Sequence, residues 1–163
     1  MFSLEITTLA RLLVDEARER SLRIVTAESC TGGLVAGAIC TVSGASDVFE
    51  RGFVTYSNRA KQELLGVPGD LIADLGAVSE PVARMMAEGA LEASNAHLAV
   101  AITGVAGPGG GSPMKPVGTV HIATARSNQP IQHRQEFFEV ETREEIQMAA
   151  VQAALQALRD RLT

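Results

Sequence analysis

Ser29 and Cys30 place a hydroxyl and a thiol side by side in the stretch TAESCTGG (residues 26–33), where a run of β-formers hands over to a run of helix-formers. The carboxyl end of a strand in an open α/β sheet is where ligands gather. A helix start adds unpaired N–H groups and the positive end of a dipole. Together these suit nucleophilic attack on a carbonyl carbon, with a site for the developing oxyanion beside the nucleophile. Gly32 and Gly33 let a ligand come close to the backbone. Cys30 is the competing nucleophile, because a thiolate is readily activated at a helix N-terminus. The spacing is not the G-x-S-x-G elbow: Ala27 and Thr31 stand where its glycines would be. The same residues also fit a simpler role, with Ser29 or Thr31 capping the helix and the glycines letting it pack on the sheet.

A serine nucleophile needs a base. His121 falls inside an expected strand, His133 at the start of another and His97 just before one, positions that suit packing or the surface better than catalysis. Arginine stays charged at neutral pH and cannot serve. That leaves two lysines, Lys61 and Lys115. Lys61 opens a helix just after the second expected strand. If that strand runs parallel beside the first, Lys61 reaches the same sheet edge as Ser29, and desolvation there would lower its pKa enough to take the serine proton. Otherwise it is a solvated helix lysine. Tyr56 leaves the second strand nearby, suited to hydrogen bonding or to stacking on a ring, or simply half-buried at the strand end.

A second constellation lies at ITGVAGPGGG (102–111). Thr103 and Gly104 end an apolar strand at what should be the same edge. Gly107, Gly109, Gly110 and Gly111 form a loop able to wrap a phosphate or a ribose. No Gly-Lys-Ser/Thr follows, so it is not a Walker A loop, and no acid-ended βαβ unit surrounds it. Arg143, in the first turn of the last helix, is the candidate anion ligand.

These residues must be positioned by a regular scaffold. Leucine spacing predicts a helix over 3–20, then a buried strand over 22–27 and a helix over 31–42. A strand over 48–57, a short helix over 58–66 and a helical turn around Leu71–Leu75 follow. A helix over 79–96 has Ser79 as its expected N-cap. LAVAITGVAG (98–107) reads as a strand buried on both faces. Strands over 117–126 and 132–140 pair around SNQP, and the closing helix begins with a capping box at Thr142 and Glu145. Strands alternating with helices mean a three-layer α/β/α sandwich. The late strand pair makes its sheet mixed, although mostly parallel. We expect one domain over residues 1–163, with no internal repeat or linker.

Composition sets the outer bounds. The 163 residues are 46% hydrophobic, 20% charged and only 4% aromatic, so the core is built from Ala, Val, Leu and Ile. A net charge of −5 argues against a nucleic-acid-binding face. Two cysteines and no metal-ligand spacing suggest a reducing compartment, the cytoplasm, and no metal. The N-terminal segment reads as an amphipathic helix rather than a signal peptide, and no apolar run is long enough to span a membrane.

The segments TAESCTGG, FERGFVTYSNRAKQELLGV, GAVSEPVARMMAEGAL and ITGVAGPGGGSPMKPVGTV, with the region of Arg143, resemble the CinA C-terminal domain family of nicotinamide-nucleotide amidohydrolases. The resemblance runs in order from about residue 5 to the end, in the manner of a stand-alone form without the larger N-terminal domain. It implies a mixed five-stranded sheet and hydrolysis of the carboxamide of nicotinamide mononucleotide to nicotinate mononucleotide and ammonia. By that resemblance Ser29 matches the nucleophile and Lys61 the general base, while Tyr56, Thr103 and Arg143 match residues of the site. Substrate contacts are expected from Cys30, Thr31, Gly32, Gly33, Thr103, Gly104, Gly107 and Arg143, with the N–H groups of Cys30 to Gly32 holding the oxyanion. No metal or cofactor is required. Nucleic acid and membrane are not expected partners, and a closed homo-oligomer, commonly a dimer, is. The competing class is a non-catalytic nucleotide-binding or competence-related module.

Overall fold

The computed structural model describes residues 1–163. Its order is α1 (Leu4–Glu19), β1 (Ile24–Glu28), α2 (Leu34–Cys40), a 3₁₀ turn (Ala45–Asp47), β2 (Phe49–Val54), α3 (Asn58–Leu65), α4 (Gly69–Leu75), α5 (Glu80–Glu92), β3 (Leu98–Gly104), β4 (Thr119–Arg126), β5 (Gln132–Phe137) and α6 (Arg143–Arg159). Every element read from the sequence is present. Most ends are trimmed by one to four residues or coincide, whereas β1 runs on to Glu28 and α4 begins two residues early, at Gly69.

The five strands lie in the order β2-β1-β3-β4-β5. β1 pairs in parallel with both β2 and β3, whereas β3–β4 and β4–β5 are antiparallel. The three parallel strands therefore end at one edge, which gathers the loops after Glu28, Val54 and Gly104.

Alternation along β1 and β3 sorts their side chains between two layers. Ile24, Leu98, Val100 and Ile102 join α1, α2 and α6 in one core cluster. Val25, Ala27, Ala99, Ala101, Ala123 and Ala125 meet α5 and the Leu65–Ile72 region in the other. The alanine floor lets α5 sit low on the sheet. Gly89 lets α3 sit low on α5, because a Cβ there would lie 1.9 Å from the Leu65 carbonyl oxygen. That contact anchors the C-terminal end of α3 one turn beyond Lys61.

Two caps differ from expectation. Ser79 occupies the N-cap position of α5, but its hydroxyl donates to Gly76 O at 2.9 Å instead of accepting a helix N–H. At α6 the Thr142 hydroxyl accepts from Glu145 N at 3.1 Å, as the capping box requires, but the Glu145 carboxylate reaches the N–H of Glu141, one residue further back.

Candidate active site

β2 does run parallel beside β1, and this brings Lys61 to Ser29. Lys61 Nζ lies 2.8 Å from Ser29 Oγ, 2.9 Å from Thr55 O and 3.4 Å from Tyr56 O. α3 aims it there: its N-cap Ser57 accepts from Ala60 N–H, so the helix starts directly after the β2 exit. Lys61 is only 1% exposed, and none of the ion pairs in the chain includes it. Burial without a counter-ion pushes its pKa below the usual 10.5, outweighing the opposite pull of Cys30.

The three partners fit a neutral amine. Thr55 O and Tyr56 O can only accept, so they take the two N–H bonds, and the lone pair is left facing the Ser29 hydroxyl. Once the amine takes the serine proton it has three N–H bonds for the same three oxygens. Both protonation states are held without moving a side chain.

Cys30 is different. Its thiol is buried and its pKa is pushed up to about 12, chiefly by burial and further by the Glu28 charge. A thiol so poorly ionised at neutral pH is not an activated nucleophile.

Ser29 opens a tight turn. Its N–H is held by Ile102 O at 2.9 Å and its carbonyl accepts from Gly32 N–H at 3.0 Å. The Thr31 N–H has no hydrogen-bond acceptor within the chain, and the Cys30 N–H meets none beyond its own sulfur. Of the two residues only Cys30 lines the cleft beside Ser29, whereas Thr31 is fully buried off it. Gly32, expected to contribute a third, spends its N–H on the turn.

Glu28 was given no role from the sequence and proves central to this turn. Fully buried, its carboxylate accepts from Thr31 Oγ1 at 2.6 Å, Val35 N–H at 2.9 Å and Ala36 N–H at 3.0 Å. It, and not Ser29 or Thr31, caps α2. The positive end of that helix is thereby matched to Glu28 and is not left for a ligand. A lone acid at the end of an apolar strand run was the signal available, since such a residue is seldom buried without partners.

Beside Ser29 lies an open cleft of about 270 Å³ lined by Ser29, Cys30, Tyr56, Val78, Arg143 and the Gly104–Gly110 loop. Arg143 is its one charged residue. It donates to Gly107 O at 2.6 Å and to Tyr56 Oη at 2.5 Å, tying the glycine loop to the exit of β2. Gly107 has φ +75°, and a Cβ there would strike Val117, so the loop's path requires glycine.

Of the remaining expected contacts, Thr31, Gly32, Gly33 and Thr103 do not line the cleft. Thr31 turns its hydroxyl to Glu28, and Gly33 serves as the N-cap position of α2. Thr103 donates to Ala77 O at 2.9 Å, so it holds the segment that brings Val78 to the cleft wall. The sequence also missed Val78, Val105, Ala106 and Gln147, whose amide donates to Cys30 O at 3.0 Å. His121 and His133 lie away from Ser29, stacked and joined at 2.9 Å. No group of three His, Cys, Asp or Glu side chains is placed to hold a metal ion, and no helix is long and apolar enough to cross a membrane.

A family model described as the CinA C-terminal domain matches residues 6–162. A CinA-like protein of Akkermansia muciniphila is 58% identical over 118 residues, 72% of this chain and 28% of its own length. A CinA-like protein of Syntrophus aciditrophicus is 45% identical over 159 residues, 98% of this chain and 38% of its own. The chain thus spans well under half the length of these curated relatives. Among solved structures, the competence/damage inducible protein CihA from Agrobacterium tumefaciens superposes with a TM-score of 0.96 at 47% identity, covering 98% of this chain and 97% of that one. A CinA superfamily protein from Escherichia coli does so with a TM-score of 0.90 at 37% identity, covering 97% and 90%.

Proposed function

The chain belongs to the CinA C-terminal domain family, and from that premise we propose that it is a serine amidohydrolase that converts nicotinamide mononucleotide to nicotinate mononucleotide and ammonia. The observation that carries this reading is the 2.8 Å contact between Ser29 Oγ and a buried lysine with no acidic partner.

In this reading Lys61 receives the Ser29 proton as Oγ attacks the amide carbon. The N–H of Cys30, which lines the cleft beside Ser29, meets the oxyanion. The lysine then returns the proton to the leaving nitrogen, and ammonia departs from an acyl-enzyme. Lys61, neutral again, takes a proton from water as the hydroxide adds to the acyl carbon, and passes it to Ser29 Oγ as the ester C–O bond breaks and the carboxylic product leaves. No step calls on a side chain outside the hydrogen-bonded set around Ser29.

The substrate rests on the family resemblance and on the chemistry of the cleft. Tyr56, 59% exposed, offers a ring face at the rim. Arg143 keeps unused N–H donors for a phosphate, beside a glycine loop whose backbone can close on a ribose.

The test is ammonia release by purified protein from nicotinamide mononucleotide, nicotinamide riboside and free nicotinamide. We expect turnover of the mononucleotide and none in Ser29→Ala. Arg143→Ala should raise KM for the mononucleotide by about 10- to 100-fold, as for loss of a charged hydrogen bond, with less effect on the riboside. Undiminished turnover in folded Ser29→Ala would overturn the mechanism.

A further inference from the structure

The α4–α5 side of the sheet carries a second open cleft, of about 590 Å³, which shares only Val78 with the one beside Ser29. β4 runs antiparallel to β3, so Thr119 at its start lies at the same sheet edge as Gly104 at the end of β3. Val120 and Ile122 turn into the core cluster shared with α6, and alternation therefore sends Thr119 and His121 to the opposite face. There α5 covers Ala123 and Ala125 but begins only at Glu80, which leaves Thr119 and His121 as the floor of the cleft.

Both floor residues are nearly enclosed, Thr119 2% and His121 7% exposed, and each holds a polar atom without a partner. The Thr119 hydroxyl makes no hydrogen bond within the chain, although the N–H and carbonyl of the same residue are both engaged. His121 is bonded through Nδ1 to His133 Nε2 at 2.9 Å, so its Nε2 is the free nitrogen. The Glu80 carboxylate, 3.5 Å from His133 Nδ1, can only accept, which puts the His133 proton on Nδ1. His133 Nε2 is then the acceptor, His121 Nδ1 the donor, and His121 Nε2 a lone pair facing the cleft. Burial holds both rings below the usual imidazole pKa, so this neutral arrangement is the one present at neutral pH. The floor thus offers a hydroxyl that can donate beside a nitrogen that accepts, and enclosed polar groups without partners are costly to leave so.

The walls are of another kind. Leu75, Val78, Pro81 and Met114 line the cleft, with Leu75 44% and Met114 90% exposed. Apolar walls over a few placed polar groups suit a flat ring whose edge makes hydrogen bonds. Lys115 adds a cation: its Nζ donates to Leu75 O at 2.5 Å and keeps two further N–H groups. Of the two acids in the cleft, Glu80 is paired with Arg84 at 2.8 Å, and Asp74 is exposed.

We propose that this cleft binds a nucleoside monophosphate, with the base edge on Thr119 Oγ1 and His121 Nε2, the ring against Leu75 and Met114, and the phosphate at Lys115. Adenine suits the floor, because its exocyclic amine donates to the Nε2 lone pair and a ring nitrogen accepts from the Thr119 hydroxyl. The site is separate from the Ser29 cleft, and the proposal does not depend on the amidohydrolase reading.

The test is calorimetric titration of adenosine 5′-monophosphate, adenosine and inorganic phosphate into the purified protein. Wild type should bind the monophosphate saturably, adenosine more weakly and phosphate most weakly. Thr119→Val keeps the shape and removes only a hydroxyl that bonds to nothing in the fold, so its urea midpoint should not fall. It should weaken the monophosphate and adenosine alike by about fivefold or more, as for one lost hydrogen bond. Met114→Ala, at a side chain almost wholly in water, should also weaken both. Lys115→Met should weaken the monophosphate by about tenfold or more and leave adenosine within about twofold, as for loss of a charged hydrogen bond to phosphate alone. Arg143→Ala should change none of these affinities. Loss of monophosphate binding in Arg143→Ala but not in Thr119→Val would put this ligand in the Ser29 cleft and overturn the proposal. So would phosphate binding as tightly as the monophosphate, affinities unchanged in both Thr119→Val and Met114→Ala, or no saturable binding of the monophosphate to wild type.

Discussion

Replacing Lys61 by methionine tests in one variant the physical claim on which the mechanism depends, that a buried lysine gives up its proton. Methionine fills similar space and removes the amine. In the unfolded chain Lys61 holds its proton up to a pKa near 10.5, and in the folded chain burial lowers that value. Between the two, the unfolded state binds one more proton than the folded state, so wild-type stability rises with pH across that window. The slope from one such proton reaches about 1.4 kcal/mol per pH unit. Below the lowered pKa both states are protonated and the slope vanishes. Lys61→Met has no such group, so its stability should lack this rise. The assay is urea unfolding of both proteins at intervals from about pH 7 to pH 10, read as the difference in unfolding free energy. That difference should climb with pH. The rate against pH should rise through an inflection at the same pKa, because the neutral amine is the active form, while Lys61→Met should lose a factor on the order of 10²–10⁴ in kcat/KM. A flat stability difference over this range would mean that Lys61 titrates as it does in water, and the neutral-amine argument would fail even if the variant were inactive.

Two further outcomes follow from neighbouring contacts. Cys30→Ala should keep most of its ammonia-releasing rate, and in native wild type iodoacetamide should alkylate exposed Cys40 while sparing buried Cys30, as read by mass spectrometry. Gly89→Ala should destabilise the fold by about 3 kcal/mol, at the upper end of overpacking costs, because its Cβ meets backbone at Leu65 rather than a side chain that can move away. Urea midpoints check this, and a variant as stable as wild type would show that α3 slides freely, in which case the placement of Lys61 is not anchored there.

The order of elements was legible because this chain alternates strongly apolar strands with helices of clear leucine and alanine spacing. The meeting of Ser29 and Lys61 was legible only conditionally. Nothing in FERGFV says that it lies beside LRIVTA, and that pairing turns two residues 32 positions apart into a dyad. What stayed hidden has a common cause. Two of the three partners of Lys61 are backbone carbonyls, which carry no signature in sequence. Thr103 and Ser79 have the residue types for a site and for a cap, but both hydroxyls are engaged by the carbonyls of the 76–77 turn. Gln147 resembles any polar residue on an amphipathic helix until α6 is laid across the Ser29 turn.

Glu28 and Lys61 show how the sheet keeps two opposite charges from cancelling the chemistry. A buried lysine next to a carboxylate would remain an ammonium, because the ion pair favours the charged form. Glu28 is adjacent to the nucleophile in sequence, but alternation along β1 sends its side chain to the α2 layer, while Ala27 faces the layer of α3 and α5. There three donors engage its two oxygens. A carboxylate so bonded is stable where it is and gains little by turning toward Lys61. The same bonds shape the turn that follows Ser29. One acid at the end of β1 thus holds the turn beside Ser29 and leaves Lys61 without a counter-ion. Shortening it to aspartate would break both arrangements, since the shorter carboxylate cannot reach Val35 and Ala36 from the same backbone.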